Sequence, residues 1–259
     1  MHHVIQNDLY NEQGFNALMD TLTELGAPFT VVKVIPFVHE LEPDINLEGE
    51  VMVWGATTLG HISRLKGWTP GVFKTDEFDM RVLHARYGEH MLNSDAAFCT
   101  FSELSFEGVK FVRPVHDSKT FTGALVHSEE MAAWIEKVQR AENDGFTSLD
   151  SDTPVMYADP KQIQLEARYF VVGGRVISGS TYRVHGRSQK HNLDNNPNLR
   201  DLQEFAQSMV DRWSPDRAFV IDVAITGDDE YKVVEINALN NAGFYACNMG
   251  AVVRAIECL

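Results

Sequence analysis

Apolar and polar positions alternate most regularly late in the chain, where FVIDVAI and YKVVEIN flank TGDDE between Phe219 and Asn237. Two apolar runs around Gly and Asp predict a β-hairpin. If Asp228 and Asp229 form a two-residue loop, residue 226 faces 231. Counting outward then sets Asp222 opposite Glu235 and Val220 opposite Asn237. Side chains alternate between the two faces of a strand. One face therefore carries Ile221, Val223, Ile225, Val234 and Ile236, and the other carries Asp222, Glu235 and Asn237.

The rest of the chain reads as helices and strands in alternation, which predicts an α/β fold. Gly14 to Leu25 predicts a helix with Phe15, Leu18, Leu22 and Leu25 on one face, ended by Gly26 and Pro28. Phe29 to Val38 predicts a strand with Pro36 near its end, Glu40 to Glu50 an acidic loop, and Glu50 to Gly55 a short buried strand. Gly60 to Gly71 reads as irregular and Glu77 to Leu92 as a helix. Trp54, Trp68 and Phe73 are expected in the core. A boundary near Asn93 to Asp95 divides the chain into domains 1–95 and 96–259.

In the second part, VKFVRPV (109–115) predicts a strand, HDSKTFTG (116–123) a loop, and Ala124 to Val126 a short return. Glu129 to Ala141 predicts a helix capped by Ser128, with Met131, Ile135 and Val138 inward. PVMYADP (154–160) is a short apolar run. EARYFVV and RVISGSTYRV predict a hairpin about Gly173-Gly174, with Val172 opposite Arg175 and Arg168 near residue 179. On that register Glu166, Arg168 and Arg183 share a face. His185 to Pro197, with Arg187 and Lys190, is a polar loop or a mobile lid. Leu199 to Trp213 predicts a helix with Leu199, Leu202, Phe205, Ala206 and Met209 inward. A turn over Ala238 to Tyr245 and a helix over Met249 to Glu257 close the chain.

Composition narrows the partners. Of 259 residues, 44% are hydrophobic and 23% charged, an ordinary soluble globular balance. The net charge of −15 argues against a passive nucleic-acid coat or a binder of anionic membranes. It leaves room for a nucleotide in a local cationic pocket. Cys99, Cys247 and Cys258 are odd in number and form no CxxC, which excludes a disulfide framework or a zinc knuckle and suits the cytoplasm. No apolar run approaches the ~20 residues of a membrane span. The opening MHHVIQNDLY lacks the apolar core of a signal peptide, and His2 and His3 read as incidental rather than as metal ligands.

The acidic face of the last hairpin carries the sharpest chemistry. Directly opposed carboxylates repel, and Asp222 and Glu235 sit in apolar runs. Three oxygen donors with no sulfur or imidazole suit a hard ion such as Mg2+, which takes its remaining ligands from water and phosphate. The alternative is a sheet face open to solvent. Arg113 ending a strand, with Lys119 and Gly123 in the following loop, could hold phosphate or form a plain solvated hairpin, and GxxxxGK[ST] is absent. Arg168 and Arg183 could fork onto phosphate or carboxylate, or form a surface ion-pair ladder.

Taken in order, these features resemble the ATP-grasp superfamily of carboxylate–amine ligases over roughly Leu104 to Leu259. VVEINALNNAGFY is similar to its metal-binding strand and turn, and EARYFVV to its ExR strand. FVRPVHDSKTFTG with EARYFVVGGRVISGSTYR resembles the phage and bacterial R-two-K clade. The resemblance implies an α/β (α+β) ATP-grasp fold, two α+β subdomains clasping nucleotide after a smaller α/β domain at 1–95. It implies ATP and Mg2+, with Asp222, Glu235 and Asn237 as metal ligands. Arg113, Lys119 and Glu166 join the nucleotide contacts, with Val155, Met156 and Tyr157 against adenine. Arg183, Arg168 and Lys119 become the catalytic cations.

The implied reaction is ADP-forming ligation through an acyl-phosphate. It joins a small-molecule or peptide carboxylate to an amine or thiol, with no membrane or nucleic-acid partner and a homodimer left open. A kinase acting on a hydroxyl is the alternative enzyme. A non-catalytic nucleotide-binding module is the third reading, and the complete metal and arginine set argues against it. The chain departs from the family pattern in having Arg113 where a lysine is usual, and no lysine in the hinge.

Overall fold

The computed structural model describes residues 1–35, 37–73, 79–116, 120–143 and 148–259. By contact the chain forms two compact units. The first contains Met1–Asp76, Ile163–Ile225 and Asp229–Leu259, and the second contains Glu77–Gln162 with Thr226–Asp228.

The first unit opens with β1 (His2–Gln6), α1 (Phe15–Leu25), β2 (Phe29–Ile35), β3 (Glu40–Glu42), β4 (Glu50–Trp54), α2 (Thr57–Leu65) and β5 (Thr69–Gly71). The strands form one sheet in the order β3-β2-β1-β4-β5, parallel except for the β2–β3 pair. The opening HHVIQ, for which the sequence pattern predicts no element, is the central strand of this sheet, with Val4 and Ile5 fully buried between β2 and β4. One expectation is corrected here: the stretch Gly60 to Gly71, expected to be irregular, runs through the end of α2, where Leu59 and Ile62 one turn apart supply the buried stripe, and closes in β5. Pro36 lies outside the described residues. In α1, Leu18 and Leu22 are buried while Leu25 is exposed, since Gly26 turns left-handed (φ 65°) and ends the helix there. Trp54, Trp68 and Phe73 are core residues, as expected.

His3 ties β1 to its surroundings by hydrogen bonds. Its Nδ1 accepts from Trp54 Nε1 at 2.9 Å, and its Nε2 lies 2.7 Å from Glu257 Oε1. Burial holds its pKa below the ordinary value against the pull of Glu257.

In the second unit, α3 (Met80–Tyr87) is shorter than the expected helix, because Gly88 breaks it with φ 55°. Then follow β6 (Ala97–Thr100), β7 (Val109–Pro114), β8 (Ala124–His127), α4 (Ser128–Asn143) and β9 (Pro154–Ala158). The four strands form an antiparallel sheet in the order β6-β9-β7-β8. Phe101, Val112, Met131, Val138 and Val155 make its core, with Ile135 partly buried against them.

The chain re-enters the first unit with β10 (Ile163–Val172), β11 (Arg175–Val184), β12 (Arg187–Ser188), α5 (Arg200–Arg212), β13 (Ala218–Thr226), β14 (Tyr231–Asn237) and α6 (Met249–Glu257). This sheet runs β12-β11-β10-β13-β14. Leu202, Ala206 and Met209 of α5 are buried, while Leu199 and Phe205 are only half-buried. One core joins both sheets of the unit: Ile5 and Trp54 pack with Phe170, Val220, Phe244 and Val253. Among the described residues no helix is long and apolar enough to cross a membrane.

Candidate functional site

The second sheet of the first unit gathers the candidate chemistry on β10, β11, β13 and β14. Arg168 on β10 grips Asp222 on β13 with both arms of its fork. Nε donates to Oδ1 and Nη2 to Oδ2, each at 2.8 Å. The two side chains are 10% and 2% exposed. Burial opposes the charge on Arg168, but the charge and hydrogen bonds of Asp222 outweigh it and hold the guanidinium above its ordinary pKa. Burial likewise pushes the Asp222 carboxyl up. Arg168 pulls it down, and Glu235 and Glu166 push it up again.

Asp222 pairs with Glu235 and Val220 with Asn237, the pairings expected from a two-residue loop, but the route differs. Ile225, not residue 226, pairs with Tyr231, so residues 226–230 make the turn. A bulge beyond Asp222 then takes Val234 out of the ladder, and Val233 faces Val223. The longer turn and the bulge cancel. Val233 is accordingly the buried valine, and Val234 is only half-buried. Asn237 Nδ2 donates to Glu235 Oε1 at 2.9 Å, which fixes the two side chains together.

Bulges also re-aim the arginine hairpin. Val172 pairs with Arg175 as expected, but one bulge sets Arg168 opposite Ser180 rather than residue 179. A second sets Glu166 opposite Arg183 and leaves Tyr182 out of the pairing. Both side chains then reach Glu166. Tyr182 Oη donates to Oε2 at 2.9 Å and Arg183 Nη1 to Oε1 at 3.0 Å. Burial, with the charges of Asp222 and Glu166, raises the Tyr182 hydroxyl above its ordinary pKa and keeps it a donor.

Three contributors escaped the sequence reading. Tyr182 and Tyr245 stack with ring centroids 5.3 Å apart, and the Arg168 guanidinium lies 5.0 Å over the Tyr245 ring. Asn240 anchors the turn that carries Tyr245. Its Nδ2 donates to Val53 O at 2.7 Å, and its Oδ1 accepts from Phe73 N at 2.9 Å. The available signal was a turn rich in Asn and ending in Phe-Tyr directly after the acidic strand. The loop His185 to Pro197, read as a plain loop or a mobile lid, is laced to β11 through Thr181 N to His191 O (3.0 Å) and Leu193 N to Gly179 O (2.9 Å).

The second unit carries the other candidates. Arg113 on β7 pairs with Met156 on β9, Pro114 with Val155, and Val112 with Tyr157. The short apolar run that contains 155–157 is thus a strand between two neighbours, an element that five apolar residues alone do not specify. Val155 and Met156 are fully buried, and Tyr157 is half-buried against Phe106. Gly123 is required by space more than by the bend, since an added Cβ would stand 2.6 Å from the Phe111 ring. Lys119 lies outside the described residues.

Among the described residues no three His, Cys, Asp or Glu side chains gather as a metal-holding group. The fit to Mg2+ therefore rests on two carboxylates and a carboxamide. Asp222, Glu235 and Asn237 offer only hard oxygens, and Asp222 and Glu235 stand directly opposite each other across the ladder. Arg168 donates to both Asp222 oxygens, whereas Glu235 and Asn237 are half-buried. The set fits the ion.

Against known families, the chain matches the ATP-grasp domain, R-two-K clade family 3, over residues 50–256. No curated protein matches it. Among solved structures it is similar to a RimK domain ATP-grasp protein from Sphaerobacter thermophilus, with TM-score 0.63 and 12% identity over 99% of this chain and 100% of that one. D-cycloserine synthetase DcsG matches with TM-score 0.59 and 10% identity over 100% of both chains. D-alanine–D-alanine ligase from Bacillus anthracis, complexed with ATP, matches with TM-score 0.57 and 13% identity over 99% of this chain and 91% of that one. At these identities the likeness shows the fold, which is that of ATP-grasp ligases.

Proposed function

The chain belongs to family 3 of the R-two-K clade of ATP-grasp domains, and from that premise we propose that it is an ATP- and Mg2+-dependent ligase. It joins a carboxylate to an amine or thiol with release of ADP and phosphate. The observation that carries the reading is the acidic pair Asp222–Glu235 beside Asn237, with Asp222 gripped by the Arg168 fork and Glu235 bonded to Asn237.

In this reading a carboxylate oxygen of the first substrate attacks the γ-phosphorus of ATP, the bond to the β-phosphate oxygen breaks, and ADP leaves. The amine nitrogen then attacks the acyl carbon of the acyl-phosphate, phosphate departs with the C–O bonding pair, and the nitrogen loses its proton. Mg2+, when bound, neutralises phosphate oxygens and fixes them for in-line transfer. Glu235 and Asn237, with Asp222, would hold it. Arg168 keeps Asp222 in a single orientation. Arg183, steadied by Glu166 and 55% exposed, has donors left for the charge that develops on the transferred group. Arg113 and Lys119 take phosphate oxygens, and Val155, Met156 and Tyr157 the base. The ladder that carries Arg113 and residues 155–157 supports grouping them.

Product stoichiometry tests the reading. With Mg–ATP and paired acids and amines, ADP and inorganic phosphate should appear in equal amounts. ADP without phosphate would mean transfer to a hydroxyl and would overturn the ligase reading.

A further inference from the structure

The first sheet carries a pair of histidines that the proposed chemistry does not use. His39 directly precedes β3, and His61 lies in α2. Their rings meet with centroids 4.8 Å apart and planes tilted by 59°. Both residues are exposed. His2, His3, His84 and His116 each have a hydrogen-bond or ion-pair partner. Among the described residues the imidazoles of His39 and His61 have none, so all four of their ring nitrogens are open to a ligand.

The backbone before β3 is bent in a way that apolar burial does not explain. Phe37 and His39 both have left-handed backbones, with φ 70° and 54°. Histidine tolerates that region, but it is rare for a bulky residue such as Phe37. Burial alone would favour Phe37 or Val38 as the residue packed on a neighbour. Instead Phe37 is 99% exposed, Val38 is exposed too, and the ring that meets α2 is that of His39. Strain of this kind persists where the surroundings over-determine it, ligand clamps included.

A shared metal ion accounts for the spacing. Imidazole nitrogen binds Zn2+ at about 2.0–2.1 Å, and the ring centroid lies about 1.1 Å further out, so each centroid stands about 3.2 Å from the ion. With the two ligands roughly 90–110° apart, the centroids are then about 4.5–5.2 Å from each other. The observed 4.8 Å falls inside that span. Imidazole suits Zn2+ and similar transition ions, whereas Mg2+ prefers oxygen. Glu40, exposed beside His39 in a chain of net charge −15, adds a field that draws cations.

We propose that His39 and His61 form a two-histidine site for a divalent transition ion of the Zn2+ type. Water completes the coordination, and the ion clips the turn before β3 to α2. The site shares no residue with Asp222, Glu235 and Asn237, and it stands whether or not the ligase reading holds.

The test is calorimetric titration of the full chain with Zn2+, with excess Mg2+ competing for oxygen donors. Wild type should take up a tightest equivalent that His39→Ala and His61→Ala each bind at least about tenfold more weakly, because either change removes the chelate. His61→Gln, which keeps a polar side chain of similar size, should lose the ion in the same way. Both histidines are exposed, so the thermal midpoints of the variants in EDTA should match wild type. Added Zn2+ should then raise the midpoint of wild type alone. Two results would overturn the proposal: no Zn2+ uptake by wild type, or equal affinity for the tightest equivalent in the folded His39 or His61 variants. Either would leave the pair as a ring contact only.

Discussion

Arg168→Ala should cost roughly 3–5 kcal/mol of stability, the expected loss when one partner of a buried ion pair is removed. Asp222 would keep its place at 2% exposure with both oxygens stripped of their donors. Glu235 and Glu166 would still push against its charge. Since folded domains hold only about 5–15 kcal/mol in total, the variant should stand near the edge of unfolding at ambient temperature. The midpoint of urea unfolding measures this. Arg168→Met combined with Asp222→Leu should recover most of the loss, because a buried pair replaced by apolar groups of similar volume is often neutral. A single variant within about 1 kcal/mol of wild type would show that Asp222 is not held as a buried, charged partner.

Arg183→Ala should act on turnover and leave stability nearly alone. The Arg183 side chain is 55% exposed, so its ion pair with Glu166 contributes less than about 1 kcal/mol. Glu166 keeps its hydrogen bond from Tyr182 when the arginine is gone. If Arg183 meets the charge of the transferred group, its removal should lower kcat by about 10²–10³-fold, the usual cost of one preorganised donor. Lysine in its place restores the charge but not the planar fork, so partial recovery is expected. The check is ADP release at saturating ATP beside an unfolding curve. A parallel fall in stability and rate would make Arg183 a structural residue.

The contrast between these arginines explains much of what the sequence could and could not show. Alternation within one hairpin is local information, and it placed Asp222 with Glu235 and Arg183 near Glu166. Bulges are not visible in a pattern of period two, so the turn after Ile225, the displaced Val234 and the re-aimed Tyr182 were all missed. The correct acidic pair emerged because two unseen irregularities cancelled. Contacts across long stretches of chain were equally hidden. Asp222 as the partner of Arg168 depends on β10 lying beside β13.

The N-terminal strand was lost for a simpler reason. Five residues that begin with two histidines do not read as buried until Trp54 and Glu257 are seen to satisfy His3. Helices α4 and α5 were legible because their apolar stripes run for several turns, and the shorter α6 because Met249, Val252, Val253 and Ile256 crowd one face. Helix α2, as short as α6, was not, because only Leu59, Ile62 and Leu65 interrupt its polar and small residues.

The most direct test of the central claim is nucleotide binding by wild type and Glu235→Gln, titrated with ATP in the presence and absence of Mg2+. Glu235 is half-buried and already bonded to Asn237, so the amide should be accommodated with little loss of fold while one ligand charge disappears. The account predicts Mg2+-dependent ATP binding in wild type that is weakened at least about tenfold in the variant, with Mg2+-free binding equal in both. Identical Mg2+-dependent affinity in the two proteins would contradict it.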